Sequence, residues 1–154
     1  MPMRVAFSCD HAAVHVHNEV MEMIKSSGTA TSVVYMGPDS EQSVDYPDFA
    51  APVCEAIQKG EVDMGFLLCG TGIGMSIAAN KYKGIRAALC HDHVTAFLCR
   101  NHNDANVVCI GERVCGLEVI RDIILTALTT EFSHGERHMS RLSKVKTIEE
   151  HQRC

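Results

Sequence analysis

A thiol, a hydroxyl and three glycines fall within six residues at Cys69-Gly70-Thr71-Gly72-Ile73-Gly74. Glycines let the chain take left-handed angles and bring backbone N–H groups close to a ligand. The segment therefore reads as an anion-binding loop, with a tight strand-to-helix turn as the plain alternative. It is neither the dinucleotide-binding fingerprint nor a Walker loop, because the spacing differs and no Lys-Ser/Thr pair follows. A cysteine at the mouth of such a loop can be held as a thiolate and act as nucleophile or general base. A buried, inert core cysteine is the competing reading, and the preferred one for the other seven. His11 and His102 are candidates for phosphate contact and proton transfer, each with an ordinary structural role as the alternative. Arg137 and Arg141, four apart on one helical face, are either a solvated surface or a guanidinium pair suited to a phosphate. Between His134 and Lys146 four basic residues face one acid, in a chain of net charge −5, which favours an anionic small ligand. His91-x-His93 with Cys90, or Cys99-x-x-His102, could be drawn as zinc ligands. Neither completes a four-ligand set, so no metal is expected.

These residues need a scaffold, and the hydrophobic pattern supplies one. Val62 to Leu68 is an apolar run of the kind buried on both faces of a parallel sheet. Met75 to Asn80 then reads as the first turns of a helix, so the loop lies at a helix N-terminus. Upstream, a strand is predicted from Met3 to Ser8, followed by a helix from about Ala12 to Ser27 that buries Ala13, Val16, Val20, Met23 and Ile24. A second strand covers Ser32 to Met36. Pro47 suits the first turn of the next helix, which buries Ala50, Val53 and Ile57. Downstream come a fourth strand, Ile85 to Cys90, and a helix capped by Asp92 and closed by His102-Asn103. A fifth strand, Asn106 to Ile110, precedes a helix from Leu117 to Leu128. A final helix opens on a capping box, Ser133-x-x-Glu136, and carries Met139, Leu142, Val145 and Ile148 on one side. Strand–helix alternation of this order implies an α/β fold: one doubly wound, Rossmann-like, five-stranded parallel sheet with helices on both faces and an extra C-terminal helix. Ligands in such sheets sit at the carboxyl ends of the strands. Asp10-His11, the Cys69 loop, His91-Asp92, His102-Asn103 and Arg113 are all expected near that edge.

Length and composition narrow the class. The 154 residues, 46% of them apolar, make one domain spanning 1–154 with a real core. The acidic balance argues against nucleic-acid binding, and no apolar stretch is long enough to span a membrane. The first strand begins at Met3, which leaves no room for a signal peptide, and Gln152-Arg153-Cys154 matches no retrieval signal. Eight cysteines without a Cys-x-x-Cys pair look like reduced thiols, so a cytoplasmic location is expected.

Taken together, several segments resemble the type B ribose-5-phosphate isomerases, a family that also includes galactose-6-phosphate isomerase subunits. They are Asp10-His11-Ala12, Ser43-Val44-Asp45-Tyr46-Pro47-Asp48, Cys69 to Lys81, Ile85 to Asp92, His102-Asn103-Asp104-Ala105-Asn106 and Gly111-Glu112-Arg113, and Arg137 and Arg141 match as well. The resemblance implies aldose–ketose exchange between D-ribose 5-phosphate and D-ribulose 5-phosphate through an enediolate. It makes Cys69 the base and His102 the group that opens the sugar ring. It gives the enediolate oxygen to the N–H groups of Gly70, Gly72, Ile73 and Gly74, with Thr71 assisting. Asp10, Tyr46 and Asn103 then contact the sugar, and His11, Arg113, Arg137 and Arg141 bind the phosphate. The implied enzyme uses no cofactor or metal and is a homodimer with active sites shared between subunits. Another branch carries Ser and a nearby Glu where this chain has Cys69 and Met75, so the likeness is to the cysteine branch. Isomerisation of a six-carbon sugar phosphate (allose or galactose 6-phosphate) stays open as an alternative, as does a non-catalytic phosphosugar-binding protein.

Overall fold

The computed structural model describes residues 2–152. Five parallel strands form one sheet in the order β2-β1-β3-β5-β4. They are β1 (Met3–Cys9), β2 (Ala30–Tyr35), β3 (Met64–Cys69), β4 (Ala87–Leu89) and β5 (Val107–Gly111). The helices between and after them are α1 (His17–Lys25), α2 (Tyr46–Gln58), α3 (Ile73–Ala79), α4 (His93–Asn101), α5 (Leu117–Thr129) and α6 (Glu136–Gln152). Every residue of β3 and β5 is buried, as a strand covered on both faces requires. On one face Val20 and Ile24 of α1, Ala96 of α4 and Ile120, Ile123, Ile124 and Leu128 of α5 pack over Phe7, Phe66 and Ile110. On the other, Ala50 and Val53 of α2 and Met75 and Ala79 of α3 cover Ala6, Leu67 and Cys109. Each fully buried Phe or Leu contributes about 1.5–3 kcal/mol, so the central strands are the most firmly held backbone in the molecule.

Where this architecture departs from the sequence expectation, local hydrogen bonds explain the difference. The first helix is broken: Asp10 Oδ1 accepts from Ala12 N–H at 2.9 Å, a short turn and a 3₁₀ segment (Val14–Val16) follow, and α1 starts only at His17. The fourth strand is three residues long, because Arg86 N–H donates to the Asn106 side chain at 2.8 Å instead of to a neighbouring strand. The Ser133 capping box does not form. His134 takes a left-handed φ of 54°, the Ser133 hydroxyl accepts from Gly135 N–H, and Glu136 becomes the first residue of α6. Asp92 does cap α4, accepting from Thr95 N–H at 2.7 Å while Thr95 Oγ1 accepts from the Asp92 backbone.

The order in which strands are added reverses between β1 and β3, one side of the sheet being built by β2 and the other by β5 and β4. That reversal opens a crevice above the carboxyl ends of β1 and β3. The C-terminal helix adds little to the core: its only buried residue is His138, and Met139, Val145 and Ile148 remain exposed.

Candidate active site

The crevice collects most of the residues singled out in the sequence. Cys69 is the last residue of β3 and 5% exposed. Its Sγ accepts a hydrogen bond from Gly72 N–H at 3.1 Å. That contact requires the loop to fold back on the thiol, which it does through a left-handed Gly72, φ 77°. A Cβ at Gly72 would lie 2.6 Å from the Leu89 side chain and 2.9 Å from the Ile110 backbone, so only glycine fits. Thr71 Oγ1 accepts from Ile73 N–H at 3.3 Å, a long bond that an anionic oxygen could displace.

Neighbouring elements close around this loop. Tyr46, at the start of α2, lays its ring where a Cβ on Gly74 would be, 2.7 Å from that position. Arg113, just beyond β5, brings its guanidinium to Gly70 in the same way, 3.3 Å from a Cβ there, and its backbone N–H donates to Gly70 O. Asp10 is buried at the end of β1. His11 accepts from Val44 N–H through Nδ1 at 3.2 Å, which leaves Nε2 to carry the ring proton in the neutral form. Asp10, His11, Tyr46, the Cys69–Gly74 loop and Arg113 thus form one cluster. A thiol in contact with an N–H, further loop N–H groups and a nearby cation suit proton transfer next to a carbonyl, with the negative charge received by the loop.

His102, Asn103, Arg137 and Arg141 are elsewhere. The sequence placed His102-Asn103 at the carboxyl edge, and the topology corrects this. Helix α4 leaves the carboxyl end of β4 and runs back, so its C-terminus arrives at the amino edge just before β5. There Arg86, ahead of β4, donates to the carbonyls of Asn103 and Asp104 at 3.3 and 2.9 Å. β3 and β5 are six and five residues long, which sets the two edges roughly 15–20 Å apart. Helix α6 joins His102 at this edge. His138 stacks on the His102 ring, centroids 4.1 Å apart and planes 16° from parallel, and accepts from Arg137 Nε at 3.3 Å. Burial holds the proton affinity of His138 below the usual imidazole range, and His102, Arg137 and Arg141 add to this by charge. His138 escaped the sequence reading because its neighbours are polar, and nothing in the pattern marks it as buried.

The histidines and cysteines considered as zinc ligands go to other partners. His93 Nδ1 lies 3.2 Å from Asp122 and 3.1 Å from Thr126, while Cys90 and Cys99 touch each other at 3.7 Å. Among the described residues, no three His, Cys, Asp or Glu side chains are gathered as a metal ion would need. The seven described cysteines are free and buried, and Cys154 lies outside the described residues with Arg153. Among the described residues no helix is long and apolar enough to cross a membrane.

Known proteins share this sequence pattern and fold. A family model described as Ribose/Galactose Isomerase matches residues 5–145. The structure of Leishmania infantum type B ribose 5-phosphate isomerase is 64% identical and superposes with a TM-score of 0.97, covering 99% of each chain. Ribose-5-phosphate isomerase B of Escherichia coli is 41% identical over 147 residues, 96% of this chain and 97% of the relative. The structure of ribose-5-phosphate isomerase B from Mycoplasma genitalium, which has ribulose-5-phosphate bound, is 35% identical with a TM-score of 0.88 and covers 96% of each chain.

Proposed function

We propose, because the chain belongs to the ribose/galactose isomerase family, that it interconverts D-ribose 5-phosphate and D-ribulose 5-phosphate by proton transfer through an enediolate. The observation that carries this reading is the Cys69 thiol seated under the glycine loop, 3.1 Å from Gly72 N–H. As thiolate, Cys69 removes the C2 proton of the open-chain aldose and returns it to C1. The negative oxygen at C1 is received by the loop N–H groups from Gly70 to Gly74 with Thr71, and the O2 proton moves to O1. Before that step His102 opens the furanose. It donates a proton to the ring oxygen as the bond from that oxygen to C1 breaks, and the anomeric hydroxyl passes its proton to solvent water, leaving the neutral open-chain aldehyde. Asp10, Tyr46 and Asn103 orient the sugar hydroxyls. His11, Arg113, Arg137 and Arg141 hold the phosphate, whose remote binding energy keeps a small substrate in register. The chemistry needs neither metal nor cofactor.

Two clusters 15–20 Å apart cannot serve one five-carbon substrate within a single chain, by the roughly 15–20 Å strand-length estimate above. The reading therefore includes a homodimer in which the amino edge of one copy covers the crevice of the other. Twofold packing then yields two equivalent composite sites. The exposed stripe of Met139, Val145 and Ile148 on α6 supports a helix that finds its cover on a second copy. Seven free thiols among the described residues fit a reducing, cytoplasmic setting. The test is turnover of ribose 5-phosphate beside allose 6-phosphate and galactose 6-phosphate, with and without chelator. Fastest turnover of the five-carbon sugar, unaffected by chelator, is expected. Preference for a six-carbon sugar would replace the substrate assignment, and no turnover of any of the three would leave a phosphosugar-binding protein.

A further inference from the structure

Helix α6 buries one side chain, and it is neither apolar nor charged. His138 is 6% exposed in a helix where Met139, Val145 and Ile148 stand about half or more in solvent and Leu142 is half-buried. Its ring lies flat against His102, 4.1 Å between centroids and 16° from parallel, at the C-terminus of α4. Its Nε2 accepts the Nε–H of Arg137 at 3.3 Å. Gly135 supports the same ring from below, since a Cβ there would sit 3.3 Å from His138 Cδ2. An arginine is always charged and can only donate. A ring that accepts from it must be neutral, with its proton on Nδ1. A second positive charge would also meet Arg137, Arg141 and His102, and those groups, with burial, lower its proton affinity. The ring therefore has two partners of different kind: a flat face for His102 and a lone pair for Arg137.

We infer that His138 is a positioning residue, which holds the His102 imidazole and the Arg137 guanidinium as one rigid unit at the amino edge. The inference rests on the proposed roles of His102 in ring opening and Arg137 in phosphate binding. A stacked neighbour stops the His102 ring from turning about its own axis, so the nitrogen that faces the sugar oxygen stays in place. The hydrogen bond to Nε leaves both terminal nitrogens of Arg137 for a phosphate. A side chain present only to anchor the helix would need volume and nothing more. Leucine or phenylalanine would provide that, without an acceptor and without a constraint on the protonation state.

The test separates the two contacts. His138→Gln retains an acceptor and removes the flat ring; His138→Phe retains the ring and removes the acceptor. Each is measured alone and combined with His102→Asn on ribose 5-phosphate, with thermal melts to confirm folding. His138→Gln should lower kcat about tenfold, a typical loss for a displaced catalytic group, and should add nothing in the His102→Asn background. His138→Phe should recover most of kcat and raise KM severalfold, because Arg137 has lost its acceptor. Losses that multiply with His102→Asn, or a Phe variant no better than the Gln variant, would reduce His138 to an anchor and overturn the inference. His102→Asn alone is the control on the parent reading. If it leaves turnover intact, the ring-opening role falls and this inference with it. If it is impaired while the His138 variants do not split, only the inference fails.

Discussion

The carboxyl edge and the amino edge of the same sheet carry functional groups of different kinds. At the carboxyl edge the groups close around a buried thiol. Cys69 is a strand residue, its partner is a backbone N–H, and the neighbours that close the loop pack against bare glycine positions. At the amino edge the groups sit on helix ends: His102 closes α4, and Arg137 and Arg141 lie in the first turns of α6. Proton transfer at carbon depends on sub-ångström placement and on donors already aimed at the developing charge, so it belongs on the most rigid backbone. Gripping a phosphate depends on charge and reach, which arginines on a peripheral helix provide. Under the proposed roles the difference between the two regions is a division of labour, with His11 and Arg113 meeting the phosphate from the carboxyl edge, and each half is open to attack on its own terms.

The largest effect should come from the rigid half. Cys69→Ala should lower kcat by about 10²-fold or more while KM changes little, since a general base acts on the chemical step. Steady-state kinetics on ribose 5-phosphate checks this, and near-normal kcat would return Cys69 to the core-cysteine reading. The charged half should fail in the other parameter. Arg137→Ala/Arg141→Ala should raise KM on the order of tenfold or more with a smaller loss in kcat, because charge-assisted contacts to the phosphate are lost. A kcat defect as deep as that of Cys69→Ala would erase the distinction between the two edges.

His102→Asn should show its defect in how rate depends on enzyme concentration. Without an opener, the enzyme uses only the open-chain aldehyde present in solution. The rate should therefore level off at the speed of spontaneous ring opening as enzyme is added, whereas the wild-type rate keeps rising. Progress curves at high enzyme concentration read this, and proportionality in the variant would remove His102 from ring opening.

The smallest expected effect is on stability. The proton affinity of His138 is lowered in the folded chain from its ordinary 6.5. Below that pH the unfolded chain takes up a proton that the folded chain refuses, so stability should fall as pH drops through and below 6.5. His138→Phe should flatten that part of the curve. Asp63 and Asp92, whose carboxyls are held below their ordinary 3.8 by Arg4 and by the α4 N-terminus, act only at still lower pH and should not mask it. Unfolding midpoints between pH 7.5 and 5 give the comparison, and parallel curves for the two proteins would argue against a neutral His138.

How much of this was legible in the sequence follows the same division. The rigid edge was readable because its signals are local: an apolar run, then three glycines and a thiol, with Tyr46 and Arg113 flanking motifs of their own. Element order alone gave the sheet class, while strand order 2-1-3-5-4 and the shortness of β4 depend on distant side-chain bonds such as Asn106 to Arg86. The misplacement of His102 came from reading proximity to β5 as proximity to its carboxyl end. A crossover helix finishes at the opposite edge, and the sequence carries no mark of that beyond topology. His138 was hidden because a histidine in a polar stretch gives no burial signal, and its two contacts come from a ring on another helix and from its own chain neighbour. Of the C-terminal stripe read in the sequence, Met139, Val145 and Ile148 are exposed, while Leu142 is half-buried within the chain.

The central claim, that one chain supplies the carboxyl edge of a site and another the amino edge, has a direct measurement. Cys69→Ala protein, defective in kcat, is mixed with Arg137→Ala/Arg141→Ala protein, defective in KM, and assayed at substrate well below the wild-type KM. Subunits are allowed to exchange, and exchange is confirmed with a mass-tagged copy. In a mixed dimer one composite site collects both lesions and the other collects none. Random pairing should then restore roughly a quarter of wild-type activity. Activity that stays at the level of the separate variants, with exchange verified, would contradict the account and place each site within a single chain.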